Sequence, residues 1–138
     1  MKKIILVILV LLFSVNCYAV TKEAADDIKA YLFIQGETAE KMNKLFEDLG
    51  EESVSANFAL DKVINWKIRY VGETKPPPGE AEELDRLMND YFSLMKEYVS
   101  ACKAEDERAK VPLKRKIREL YMEITREEGQ LKLEIGQR

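Results

Sequence analysis

The sequence LDRLMNDYFSLMKEYVSAC, residues 84–102, decides the fold class of this chain. Its apolar side chains follow alternating steps of four and three residues, a heptad spacing that places them on one face of an α-helix. Further apolar residues widen that face beyond the seam of a two-stranded coiled coil, as a bundle helix requires. The seam comprises Leu84, Met88, Tyr91, Met95, Tyr98 and Cys102, and the widening residues are Leu87, Phe92, Leu94 and Val99. We therefore predict a bundle helix from Glu80 to about Ala109.

A second helix is predicted before it, over residues 21–49. Thr21 is a suitable N-cap, and Gly50 is typical of the residue that follows a helix C-terminus. Apolar or small side chains again recur at steps of three and four, with one polar member, Gln35. The stripe comprises Ala25, Ile28, Leu32, Gln35, Ala39, Met42, Phe46 and Leu49.

Residues 53–71 admit two interpretations. Ser53 is a suitable cap for a helix over this segment, and a helix is the prediction that we favour. Residues 64–70 nevertheless alternate between apolar and polar side chains, as a strand does, and residues 131–135 alternate in the same way. A short β pairing of residues 63–71 with residues 130–136 is therefore the alternative. The three consecutive prolines at 76–78 predict an extended connection to the next helix.

A last helical pattern runs from Leu113 to Glu128. Pro112, directly before it, decides whether this helix is separate from the preceding one. A proline inside a helix costs about 3 kcal/mol. Charge–dipole terms at a few exposed residues sum to only about 1 or 2 kcal/mol. We therefore predict a break or sharp kink at Pro112, with Gly129 as a candidate end of the helix.

Together these segments predict an all-α fold, a small bundle of about four helical segments arranged as coiled-coil-like hairpins. The bundle forms one exported helical domain, residues 20–138, because its length suits a single hydrophobic core.

The first nineteen residues have the pattern of an export signal. Two lysines precede an unbroken apolar run from Ile4 to Phe13, and a small residue, Ala19, ends the segment. We predict a signal peptide, residues 1–19, that is cleaved to leave a periplasmic or secreted protein. Lipidation at Cys17 is an alternative, although Ser14, Val15 and Asn16 match the lipoprotein motif poorly. The other alternative is an uncleaved anchor.

Composition excludes several function classes. The 138 residues contain no histidine, which removes His-dependent hydrolases, His-ligated zinc sites and c-type haem attachment. The net charge of −3 gives no footprint for nucleic acid. No glycine-rich phosphate loop, nucleophile elbow or metal-ligand cluster occurs in the sequence. We therefore expect no enzymatic activity and no cofactor.

Two features remain as candidate sites. Cys102 is the one cysteine left after cleavage, and it is either a core residue or a link between two chains in an oxidising compartment. The densest basic stretch is a candidate patch for an anionic partner, with a solvated helix face as the alternative. The patch comprises Lys110, Lys114, Arg115, Lys116 and Arg118.

We expect the exported domain to act by binding an unidentified protein partner or a second copy of itself. One alternative is a helical bundle that binds a small ligand or lipid; another is a membrane-tethered lipoprotein or spanin-like structural protein of the envelope. Membrane contact is expected only if Cys17 is lipidated or the signal is retained. The plan is similar in size and class to that of the small periplasmic stress chaperones, whose Leu-Thr-x-x-Gln repeat this sequence lacks.

Overall fold

The computed structural model describes the backbone of residues 2–136 and the side chains of residues 22–136. Within residues 2–136 it contains four α-helices, one short 3₁₀ turn and no β-strand, which confirms the predicted all-α bundle. The elements are α1 (Lys2–Gly50), α2 (Ala56–Thr74), the 3₁₀ turn (Gly79–Ala81), α3 (Glu82–Lys103) and α4 (Glu107–Gly136).

The four helices pack around one core. Helix α3 packs against α4 and α2, and α1 also contacts both of those helices. Helices α2 and α4 therefore lie at diagonally opposite corners of the bundle. The predicted seam of α3 is buried from Leu84 to Tyr98, and Cys102 at its end is half-buried against the core.

The alternative β pairing is wrong, because residues 63–71 lie inside α2 and residues 130–136 lie inside α4. In α2 the alternating pattern combines two helix faces: Val63 and Tyr70 are buried, whereas Ile64 and Ile68 are exposed. The tail has the same explanation. Leu131 and Ile135 are four residues apart and face the bundle, whereas Leu133 between them is exposed.

The predicted boundary at Pro112 is also wrong, because the chain turns earlier, over residues 104–106. Glu105 adopts the left-handed conformation, with φ of 53°, and the side chain of Asp106 accepts a hydrogen bond from the Ala109 N–H at 3.1 Å. Asp106 therefore caps α4 and Glu107 occupies its first turn, where the helix dipole favours negative charge. Pro112 lies inside α4 on its exposed side.

Three smaller boundaries differ from expectation as well. Helix α1 extends before Thr21, so Thr21 does not cap it, and α4 continues through Gly129. The cap of α2 is Ser55 rather than Ser53, since the Ser55 hydroxyl accepts a hydrogen bond from the Phe58 N–H at 3.2 Å.

Candidate binding surfaces

The basic side chains of the predicted patch have different surroundings in the structure. Lys110 donates a hydrogen bond to Glu107, with 2.5 Å between Nζ and Oε1, and its side chain is only 15% exposed. Arg115 lies 3.9 Å from Glu119 on the exposed side of α4. The Arg118 guanidinium lies over the Phe46 ring, 5.9 Å from its centroid.

The remaining two lysines of the patch face different grooves. Lys114 lines a cleft with Lys110, whereas Lys116 lines a groove between α3 and α4 that also contains Asp90 and Glu123. The five basic side chains therefore do not form one anion-binding patch.

A cleft of about 670 Å³ brings Cys102 together with Lys110 and Lys114 at one end of the bundle. The loops after α1 and α3 form its rim. Each loop contains one residue with a left-handed backbone conformation, Glu52 and Glu105 respectively. Carboxylates and amines both line the cleft, so neither charge dominates it. The thiol of Cys102 is free, and the linkage of two chains through it stays a prediction.

Hydrogen bonding and burial shift the pKa values of three groups of this cleft. The hydrogen bond between Glu107 and Lys110 lowers the pKa of the carboxyl and raises the pKa of the amine, which keeps both groups ionised. Burial raises the pKa of the Tyr98 hydroxyl. The rim of the cleft therefore holds an internal ion pair between Glu107 and Lys110.

An apolar groove of about 500 Å³ lies at the other end, between α1 and the last turns of α4. Leu32, Phe33 and Ile135 line it, and Lys29 and Lys132 flank it. Phe33 is 73% exposed, whereas Phe92, which also lies beside the sequence seams, is completely buried. The groove therefore combines an apolar floor with two cationic edges.

The outer face of α2 carries exposed apolar side chains that belong to the strand-like alternation of residues 64–70. Ile68 is 67% exposed and Ile64 is 40% exposed, one helical turn apart. Asp61 and Gly72 continue the same face, and a Cβ atom built on Gly72 would meet no atom within 4 Å. Val63 and Tyr70 are seven residues apart, which is the spacing of one helix face. This spacing is the sequence signal that distinguishes the core face of α2 from its outer face.

A buried chain of hydrogen bonds links three helices, although no pattern in the sequence indicates it. Tyr31 of α1 hydrogen-bonds to Tyr70 of α2, and Tyr70 donates to Asp85 of α3 at 2.8 Å. Lys75 donates to the second oxygen of Asp85 at 2.7 Å. Burial is the main cause that raises the pKa values of both tyrosines, so they stay neutral donors. The contacts join groups 39 and 15 residues apart, which no local spacing reveals.

Cys17 lies outside the residues whose side chains are described, so its lipidation stays a prediction. Among residues 22–136 no group of three or more acidic or cysteine side chains is arranged to hold a metal ion. Within that same range no helix is both long and apolar enough to cross a membrane. Comparison of the chain with protein-family models, with curated proteins and with solved structures finds no match.

Proposed function

We propose that this chain is a non-enzymatic helical protein of the cell envelope that acts by binding, and that its first partner is a second copy of itself. The observation that carries the proposal is the self-complementary outer face of α2. Two isoleucines are exposed there on a short helix, although burying them would be favourable. The predicted export signal supports a location in the periplasm or outside the cell.

The order of residues on this face suits an antiparallel pairing of two α2 helices. Ile68 is equidistant in sequence from Ile64 and Gly72. A two-fold axis at Ile68 therefore sets each Ile64 against Gly72 of the other copy. Such a contact is isologous, the commonest kind in soluble homodimers.

The chemistry of this opposed pair supports the contact. Gly72 offers open space to an isoleucine side chain, so the two helices can approach closely. Lys75 follows the end of α2 and binds the buried Asp85, so it takes no part in this contact.

The test is the molar mass in solution, measured by sedimentation equilibrium in reductant so that a Cys102 disulfide does not contribute. We expect a concentration-dependent dimer that Ile68→Gln converts to a monomer. Met122→Gln, an equally exposed apolar site on α4, is the matched control and should leave the dimer intact. A monomer at every concentration, or a dimer that survives Ile68→Gln, would contradict the proposal.

A second candidate function, binding of a small ligand, is favoured by the groove between α1 and α4. An apolar floor between Lys29 and Lys132 suits a fatty acid, whose chain contacts Phe33 and whose carboxylate meets the amines. Displacement of an apolar fluorophore by a fatty acid, with loss of that displacement in Phe33→Ser, is the expected result. Absence of displacement would remove this candidate.

The membrane-tethered alternative depends on the N-terminal segment. The intact mass of the protein from its native envelope fraction distinguishes a chain that begins at Val20 from one that carries lipid on Cys17 or keeps its signal.

A further inference from the structure

Three exposed apolar residues lie on one line along α4. Val111, Met122 and Leu133 are each more than two-thirds exposed, and each lies eleven positions after the one before it. Eleven residues make three helical turns plus about 20°, so the three side chains share one face over a length of about 33 Å. Ile117 and Ile124, which are fully buried, mark the opposite face.

Four arginines share this face, one just before Val111 and three between the apolar residues. We call the following set the outer stripe of α4: Arg108, Val111, Arg115, Arg118, Met122, Arg126 and Leu133. All seven are exposed, and the stripe itself contains no carboxylate. It therefore combines four cations with three apolar side chains on a chain whose net charge is −3.

The nearest carboxylates lie beside the stripe and hold its arginines weakly. Glu119 is 3.9 Å from Arg115 and Glu123 is 4.0 Å from Arg126, both at the outer limit of an ion pair and with exposed side chains. Glu107 is bound to Lys110 instead. The guanidinium groups of Arg108, Arg115 and Arg126 are consequently available to an external anion. That of Arg118 lies over the Phe46 ring, although the residue is exposed.

The combination of apolar and cationic side chains on one face suits a lipid headgroup layer. Apolar side chains of an interfacial helix enter the boundary between headgroups and acyl chains, and arginines beside them reach the phosphates. A partner helix would need an apolar seam at steps of three and four, which single residues eleven apart do not supply. The stripe also lacks the aromatic side chains on which single-stranded nucleic acid stacks.

We propose that the outer stripe of α4 binds the surface of an anionic phospholipid membrane. This contact needs neither lipid on Cys17 nor a retained signal. It also does not depend on the α2 pairing, since α2 and α4 lie at opposite corners of the bundle. The excess negative charge of the rest of the chain favours the orientation in which α4 alone faces the membrane.

Vesicle co-sedimentation tests the charge requirement. The probes are vesicles of equal parts phosphatidylglycerol and phosphatidylcholine, with pure phosphatidylcholine vesicles to subtract any contribution of the N-terminal apolar run. We expect binding that needs phosphatidylglycerol, weakens with salt and falls at least about tenfold in Arg115→Gln/Arg126→Gln. The matched control, Lys44→Gln/Lys96→Gln, removes the same charge from α1 and α3 and should bind like the unchanged protein.

Equal binding by the two double variants, or no dependence on phosphatidylglycerol, would overturn the proposal. Retention on soluble polyglutamate without binding to vesicles would also overturn it and would indicate an acidic protein partner.

A fluorescent label tests which face meets the membrane. An environment-sensitive fluorophore is attached at Met122→Cys, or at Ser100→Cys on α3, in a chain whose own cysteines are serine. We expect vesicles with phosphatidylglycerol to shift the emission of the label at position 122 to the blue and to leave that at position 100 unchanged. An unchanged label at position 122, or equal shifts at both positions, would contradict the proposed orientation.

Discussion

Tyr31 donates a hydrogen bond to Tyr70 inside the bundle, and the two hydroxyl oxygens are 2.6 Å apart. The direction follows from the next contact, because Tyr70 gives its own proton to Asp85. The pair therefore links α1 to α2, and Asp85 extends the link to α3. Since Lys75 also binds Asp85, the same chain of contacts fixes the proline segment that leaves α2.

We expect Tyr70→Phe to lower the free energy of unfolding by about 2 kcal/mol. The substitution removes one hydroxyl but two hydrogen bonds, because the Tyr31 hydroxyl loses its acceptor and Oδ1 of Asp85 loses its donor. Chemical denaturation followed by circular dichroism measures the change. A loss below a few tenths of a kcal/mol would mean that the chain of contacts does not stabilise the bundle.

Tyr91→Phe is the matched substitution with the opposite expectation. The Tyr91 hydroxyl is completely buried, yet among the described residues it has no hydrogen-bond partner. Removing an unsatisfied buried hydroxyl should leave the stability unchanged or raise it by up to about 1 kcal/mol. The same denaturation experiment checks this, and a clear destabilisation would indicate a partner such as a bound water.

The buried tyrosines predict loss of stability at alkaline pH. Burial raises the pKa values of Tyr31, Tyr70, Tyr91 and Tyr98 in the folded protein, whereas unfolded tyrosines ionise near pH 10. The stabilising contribution is therefore complete below about pH 10 and decreases as the pH rises further. Tyrosinate absorbance and helical circular dichroism should change together above this pH. Ionisation of all tyrosines with the helices intact would contradict the assigned burial.

The position of the turn before α4 predicts the effect of Pro112→Ala. Because Pro112 lies within α4 and not at its start, alanine should restore a backbone hydrogen bond and stabilise the protein by about 1–3 kcal/mol. Asp106→Ala, which removes the cap of the same helix, should destabilise it by about 1 kcal/mol. Thermal melts of the two variants check the pair, and destabilisation by Pro112→Ala would place the helix boundary at the proline after all.

Helices could be predicted from the sequence where one periodic pattern of apolar residues coincided with one buried face. Helix α3 was predicted because its seam is continuous, and the start and end of α2 were missed by only a few residues. The turn at Glu105 could not be predicted, because a glutamate seldom adopts a left-handed conformation and no glycine or asparagine marked the place. The basic patch was predicted as one surface because its residues are close in sequence. Successive residues of a helix are rotated by about 100°, however, so neighbours in sequence face different directions.

The antiparallel pairing of two α2 helices is the central claim, and spin labels measure it most directly. In a chain whose own cysteines are serine, labels are placed at Asn65→Cys and, separately, at Asn57→Cys, both exposed positions of α2 that leave Ile68 and Ile64 in place. Two copies paired about Ile68 hold the labels at position 65 close together and separate those at position 57 by a further distance of roughly 24 Å. A short distance at position 65 with a longer one at position 57 is the predicted result. No dipolar coupling at either position, or a shorter distance at position 57, would contradict the proposed dimer.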